Sequence, residues 1–151
     1  MSINFVNDWF IFDNAIDKKT CNKIKKVAEG KWIESTINSR TSFTEEERLI
    51  GRKPNYVNNT KVRISDVCWT TEQWIYDLIF PFLARANKEA GWNLDVTTAE
   101  SMQIARYKKG GFYTNHQDGL ADSLSAYNKP DNSFLHGKVR KISMSLILND
   151  G

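Results

Sequence analysis

In the first third of the chain, apolar positions fall at helical spacing in one place. Asp17 is placed to cap a helix running to about Glu29, with Cys21, Ile24, Val27 and Ala28 on one face and Gly30 as its stop. Ahead of it, Asn4 to Phe12 is rich in aromatic and β-branched residues and predicts a strand or extended lead-in. Lys31 to Ile37 alternates weakly around Trp32 and predicts a further strand. Asn38 to Asn59 turns polar, with Glu45, Glu46 and Glu47 in a run and Gly51 and Pro54 beyond. It reads as a long loop, with one helical turn over Thr44 to Ile50.

Lys61 to Trp69 predicts a strand, and Thr70 or Thr71 then caps a long helix with Glu72 in its first turn. Trp74, Ile75, Leu78, Ile79, Phe82, Leu83 and Ala86 form a broad apolar stripe, the mark of a helix packed on a sheet. Pro81 is expected to kink or split that helix near Ile79, and Gly91 to end it. After Asn93 the period changes to two. Glu100 to Tyr107 predicts a strand with Met102, Ile104 and Arg106 on one face and Ser101, Gln103, Ala105 and Tyr107 on the other. Gly110 and Gly111 make the turn into a strand over Phe112 to Gln117. Gly119 to Lys138 is a second polar loop. Val139 to Asn149 is the last predicted strand, with Ile142, Met144, Leu146 and Leu148 opposite Lys141, Ser143, Ser145 and Ile147. Helices first and strands after predict a single α+β domain over residues 1–151, its helices on one face of a largely antiparallel sheet.

Composition changes this picture little. The 151 residues are 40% hydrophobic and 26% charged, with a formal charge of +3. That is too mild for the dense basic face nucleic-acid binding demands, so nucleic acid is not an expected partner. Lys18, Lys19, Lys23, Lys25 and Lys26 read as the solvated side of the first helix. Cys21 and Cys68 sit in apolar patterns and read as buried free thiols, which fits a reducing compartment. The N-terminus has neither a basic region nor a sustained apolar run, so no signal peptide or membrane span is expected and the location expected is the cytoplasm.

The candidate chemistry lies in the stretch from Tyr107 to Asp118. On a strand, His116 and Asp118 share a face, and one imidazole nitrogen with one carboxylate makes two-thirds of a facial triad for non-haem iron(II). The triplet alone is weak evidence, because two histidines and ten aspartates in 151 residues give about 0.13 such triplets by chance. The alternative is a histidine merely oriented by a nearby carboxylate.

The neighbours sharpen it. Tyr107, Gly110, Tyr113, His116 and Asp118 fit the pattern Tyr-x-x-Gly-x-x-Tyr-x-x-His-x-Asp. With Gln103 to Tyr107 and Arg63-Ile64-Ser65 upstream and Arg140 to Asp150 downstream, the chain resembles the prolyl-4-hydroxylase-like branch of the iron(II)- and 2-oxoglutarate-dependent oxygenases over most of Lys61 to Gly151. The resemblance implies a double-stranded β-helix (jelly-roll) core braced by N-terminal helices, truncated here after the early core strands.

It implies that His116 and Asp118 bind iron(II), with 2-oxoglutarate as cosubstrate, O2 as oxidant and room for ascorbate. The reaction implied is hydroxylation of an unactivated C–H bond with decarboxylation of 2-oxoglutarate to succinate. The substrate implied is a peptide, first a peptidyl proline, or a small molecule. Tyr107 matches a tyrosine near the cosubstrate, and Ser143 and Ser145 present small hydroxyls that would leave room for it and bond to it. Tyr113 would stand on the oxygen or substrate side of the metal. Ile147 takes a place where some relatives carry an aromatic residue against the cosubstrate. The family's third ligand, a histidine, and the cation for the distal carboxylate lie on later strands, so both are expected beyond Gly151. His136 is expected to be a loop residue. Two rival readings are a nucleic-acid dealkylase of the same superfamily, which would need an aromatic clamp and a basic groove, and a non-catalytic jelly-roll binding module.

Overall fold

The computed structural model describes residues 7–38, 56–116, 118, 126–127 and 130–149. Helix α1 spans Lys18–Val27, and the Asp17 carboxylate accepts the Thr20 amide at 2.6 Å, so the expected cap is present. Helix α2 spans Gln73–Glu89. Glu72 holds its N-cap position without a side-chain cap, while the Thr70 hydroxyl accepts the Glu72 amide one step earlier, at 3.2 Å.

The strands are short: β1 Ile33–Glu34, β2 Ile37–Asn38, β3 Tyr56–Val57, β4 Arg63–Ile64, β5 Asp66–Thr70, β6 Met102–Arg106 and β7 Phe112–Tyr113. They form a three-stranded antiparallel sheet in the order β1-β5-β6 and two two-stranded pairs, β2 with β3 and β4 with β7. The molecule is therefore α+β, as predicted. Among the described residues the strands do not close into a barrel.

The central sheet carries the core. Register sets Cys68 opposite Ile104, so both face one side. There they meet Ile24 and Ala28 of α1 and Ile75 of α2, with Trp32, Trp74, Leu78, Met102, Leu146 and Leu148 packed around them. Both cysteines are buried and free, as expected. Both helices thus cover one face of the sheet, the arrangement the element order predicts.

Several elements differ from expectation. The helix does not split at Pro81, and α2 runs unbroken through it. Pro81 and Asp77 are both exposed, so the carbonyl that loses its amide partner lies on the side where water replaces it. No ladder forms over Asn7 to Phe12. Instead Phe12 lies edge-on to Phe82 of α2 at 5.2 Å, and residues 4–6 lie outside the described residues. The strand expected over Lys31 to Ile37 breaks at Ser35 and Thr36 because β1 pairs with β5 and β2 with β3. Similarly, Lys61 to Trp69 divides at Ser65 between two different partners.

The polar stretch Asn38 to Asn59 is not all loop, since Tyr56 and Val57 form β3. The helical turn at Thr44 to Ile50 falls outside the described residues. The expected strand at Phe112 to Gln117 stops after Tyr113, because β4 offers only two residues to pair with. One more bond, from the Thr114 amide to the Val62 carbonyl at 2.9 Å, prolongs the pairing before it ends. Val139 to Asn149 forms no ladder. Its alternation still sorts the side chains as predicted: Ile142, Leu146 and Leu148 are half-buried, while Lys141, Ser143, Ser145 and Ile147 are exposed. Met144 departs from its face and is exposed.

Candidate metal centre

Two glycines bring the candidate residues into place. Gly110 takes φ +81°, which L side chains adopt only with strain, and turns the chain after β6. Gly111 sits so close to β4 that a Cβ there would lie 2.9 Å from the Ile64 carbonyl oxygen and 2.9 Å from that of Lys108. This close approach lets β7 pair with β4, setting Tyr113 opposite Arg63.

From there the side chains stack. The Tyr113 ring lies on His116, with centroids 3.7 Å apart and planes 19° apart. The Arg63 guanidinium lies 4.4 Å from the Tyr113 ring centre. His116 and Asp118 are therefore held without the strand ladder the i, i+2 argument assumed. The His116 Nε2 lies 3.7 Å from Asp118 Oδ1, and the two side chains are 40% and 50% exposed.

Each of the pair has a second contact that leaves one donor atom available. His116 Nδ1 lies 2.9 Å from the Thr114 carbonyl oxygen. A carbonyl only accepts, so Nδ1 carries a proton, and in the neutral imidazole Nε2 is then the nitrogen with the lone pair, on the side of Asp118. This is the backbone-anchored imidazole that metal-binding histidines commonly show. The Ser143 hydroxyl donates to Asp118 Oδ2, so Oδ1 faces the histidine. Arg140 Nη1 stands 3.7 Å from the same Oδ1, too far for a hydrogen bond. Arg140 itself is gripped by Glu100. Burial pulls its pKa down, but the Glu100 bond and the charges of Glu100, Tyr127 and Asp118 outweigh that and hold it above the ordinary value.

At 3.7 Å the Nε2–Oδ1 gap is too long for a hydrogen bond and wide enough to bracket a cation. Two bonds of about 2.1 Å to one ion at a right angle need donors about 3.0 Å apart. The pair would close by about 0.7 Å on binding, a shift exposed side chains accommodate. Donor chemistry and orientation fit a divalent metal at two positions. No cluster of three or more His, Cys, Asp or Glu occurs among the described residues, so a third protein ligand is not among them.

The other predicted residues fare differently. The Ser143 hydroxyl bonds to Asp118, and Ser143 is exposed. Ser145 is exposed on the same run. Tyr107 is 47% exposed, and no contact among the described residues ties it to the His116–Asp118 pair. His136 lies in the turn after Asn132, its amide bonded to the Asn132 carbonyl at 2.9 Å, and is a loop residue as expected. Thr114 and Glu100 were not singled out from sequence. Glu100 meets Arg140 across 40 residues, a pairing that no local pattern announces. No described helix is long and apolar enough to cross a membrane. Comparison of the chain with protein-family models, curated proteins and solved structures finds no match.

Proposed function

We propose that the chain carries the first two iron ligands of an iron(II)- and 2-oxoglutarate-dependent dioxygenase that hydroxylates an unactivated C–H bond. The observation that carries this reading is the orientation of one pair. His116 turns Nε2 towards Asp118 while its Nδ1 is tied to the Thr114 carbonyl, and Asp118 keeps Oδ1 on that side while Oδ2 takes Ser143. The motif around the pair, with Tyr107, Gly110 and Tyr113 in register, supplies the family reading.

In this proposal His116 and Asp118 hold the metal, and Tyr113 shields one face of the imidazole. Ser143 fixes the carboxylate's orientation, with Arg140 beside it. Iron, when bound, supplies the activation of O2 that is coupled to decarboxylation of 2-oxoglutarate. Later strands of a jelly-roll would supply the third ligand. A peptidyl proline is the first candidate substrate, and a free amino acid the next. The test is iron-dependent succinate formation from 2-oxoglutarate in the presence of proline-containing peptides. Turnover that needs iron and disappears in His116→Ala supports the proposal; turnover indifferent to that substitution sinks it.

A further inference from the structure

A second site stands beside Arg63, whose guanidinium also lies on the Tyr113 ring that stacks on His116. Arg63 is only 6% exposed. Its Nε donates to the Ser65 hydroxyl at 2.8 Å and its Nη2 to the Gln103 side-chain oxygen at 2.7 Å, both neutral acceptors. No ion pair among the described residues involves it. A guanidinium withdrawn from water without a counter-charge is costly, and proteins normally answer that cost with an anion.

Next to it, Ser35 is 2% exposed, and its hydroxyl has no hydrogen-bond partner among the described residues. Both side chains line one cavity of about 160 Å³. Two buried polar groups therefore border the same space, a guanidinium with no carboxylate partner among the described residues and a hydroxyl with no hydrogen bond among them.

The remaining charges favour the same sign of ligand. The cavity is lined by Arg63, Arg106, Lys108 and Lys109 against Glu34 and Asp66. Asp66 is already neutralised, bonded to Arg106 at 2.7 Å and Lys108 at 2.9 Å. That leaves Arg63 and Lys109 as cations with one opposing carboxylate, Glu34. A cavity of this size accepts a group about as large as benzene, so a short carboxylic acid fits.

We propose that this cavity binds a small carboxylate, with Arg63 as its counter-charge and Ser35 as a hydroxyl donor to it. The assignment does not depend on a metal at His116. The ligand's acid oxygen would take the bond that the Ser35 hydroxyl now lacks, and Lys109 would draw it to the rim.

The test uses propionate as probe, with propionamide as its neutral isostere, followed through backbone amide shifts at constant ionic strength. Propionate is expected to give saturable shifts centred on Ser35, Arg63, Ser65 and Gly111, and propionamide none. Ser35→Val removes an unpartnered hydroxyl and narrows the cavity, so it should stay folded and abolish the saturable response. Glu34→Gln should tighten binding about threefold or more by removing the opposing charge. Shifts that fail to saturate, match those of propionamide, or persist in Ser35→Val overturn the assignment.

Discussion

Replacing Gly111 by alanine tests how the fold positions the candidate metal centre. The added Cβ would lie 2.9 Å from each of two carbonyl oxygens, of Ile64 and Lys108, and 3.2 Å from the Lys108 nitrogen. All three are backbone atoms, so no side chain can swing aside, and β7 must move off β4. Overpacking of this kind costs about 1–3 kcal/mol. Restricting the unfolded chain returns about 0.4–1 kcal/mol, leaving a net loss of about 1–2 kcal/mol. For a chain of this length that lowers Tm by about 2–8 °C, measurable by thermal and urea unfolding.

The displacement should also reach the site, because Tyr113 of β7 carries the ring stacked on His116. The ring-current shift of the His116 protons should weaken in Gly111→Ala. Gly110→Ala is the control. A Cβ there meets nothing within 4 Å, and the φ of +81° alone is unfavourable. It should cost about 1–2 kcal/mol through the left-handed backbone and leave the His116 shift in place. Gly111→Ala as stable as the parent, with an unmoved His116 signal, would refute the reasoning.

Three further outcomes follow from the same contacts. Ser143→Ala frees Asp118 Oδ2 and should weaken metal affinity about tenfold, read by calorimetric titration; unchanged affinity would make Ser143 a bystander. Pro81→Ala restores the missing helical hydrogen bond on an exposed face and should raise stability by about 1–3 kcal/mol in urea unfolding, whereas a loss would show that the proline shapes α2. Lys108 and then Arg106 hold the Asp66 carboxyl below its ordinary value of 3.8. A lowered folded-state pKa means stability that is present above 3.8 and lost as pH falls through the folded value. Asp66→Asn should therefore show a shallower fall in unfolding free energy below pH 3.8 than the parent does, and parallel curves would dismiss the pair.

The features legible in the sequence are those that depend on local spacing. The capped helix after Asp17, the apolar stripe of α2 and the core-facing set on β6 all follow from periods of 3.6 and 2, because burial of one face selects them. The same logic sorted Ile142, Leu146 and Leu148 from their exposed neighbours although no ladder forms there. Pairing was not legible. Ser35 and Ser65 interrupt runs that look continuous, because the halves on either side bond to different strands. Pro81 broke a local rule where solvent could take the orphaned carbonyl. At the site, the spacing of His116 and Asp118 predicts that they lie together, and they do, though not on a strand. They meet through a side-chain bond to Thr114 and a ring stack, without a strand. The ion pair of Arg140 with Glu100 and the want of a carboxylate beside Arg63 among the described residues are long-range facts, invisible to any window along the chain.

The central claim is that His116 and Asp118 together grip a divalent metal, and the chain's two histidines offer a direct way to ask. The measurement is an anaerobic titration with paramagnetic Co(II), followed through the imidazole proton resonances of His116 and His136. The His116 signals should broaden and vanish at the lowest additions while those of His136 persist, and Asp118→Asn should shift the midpoint at least about tenfold higher. Equal broadening of both histidines, or a His116 response unmoved by Asp118→Asn, would contradict it.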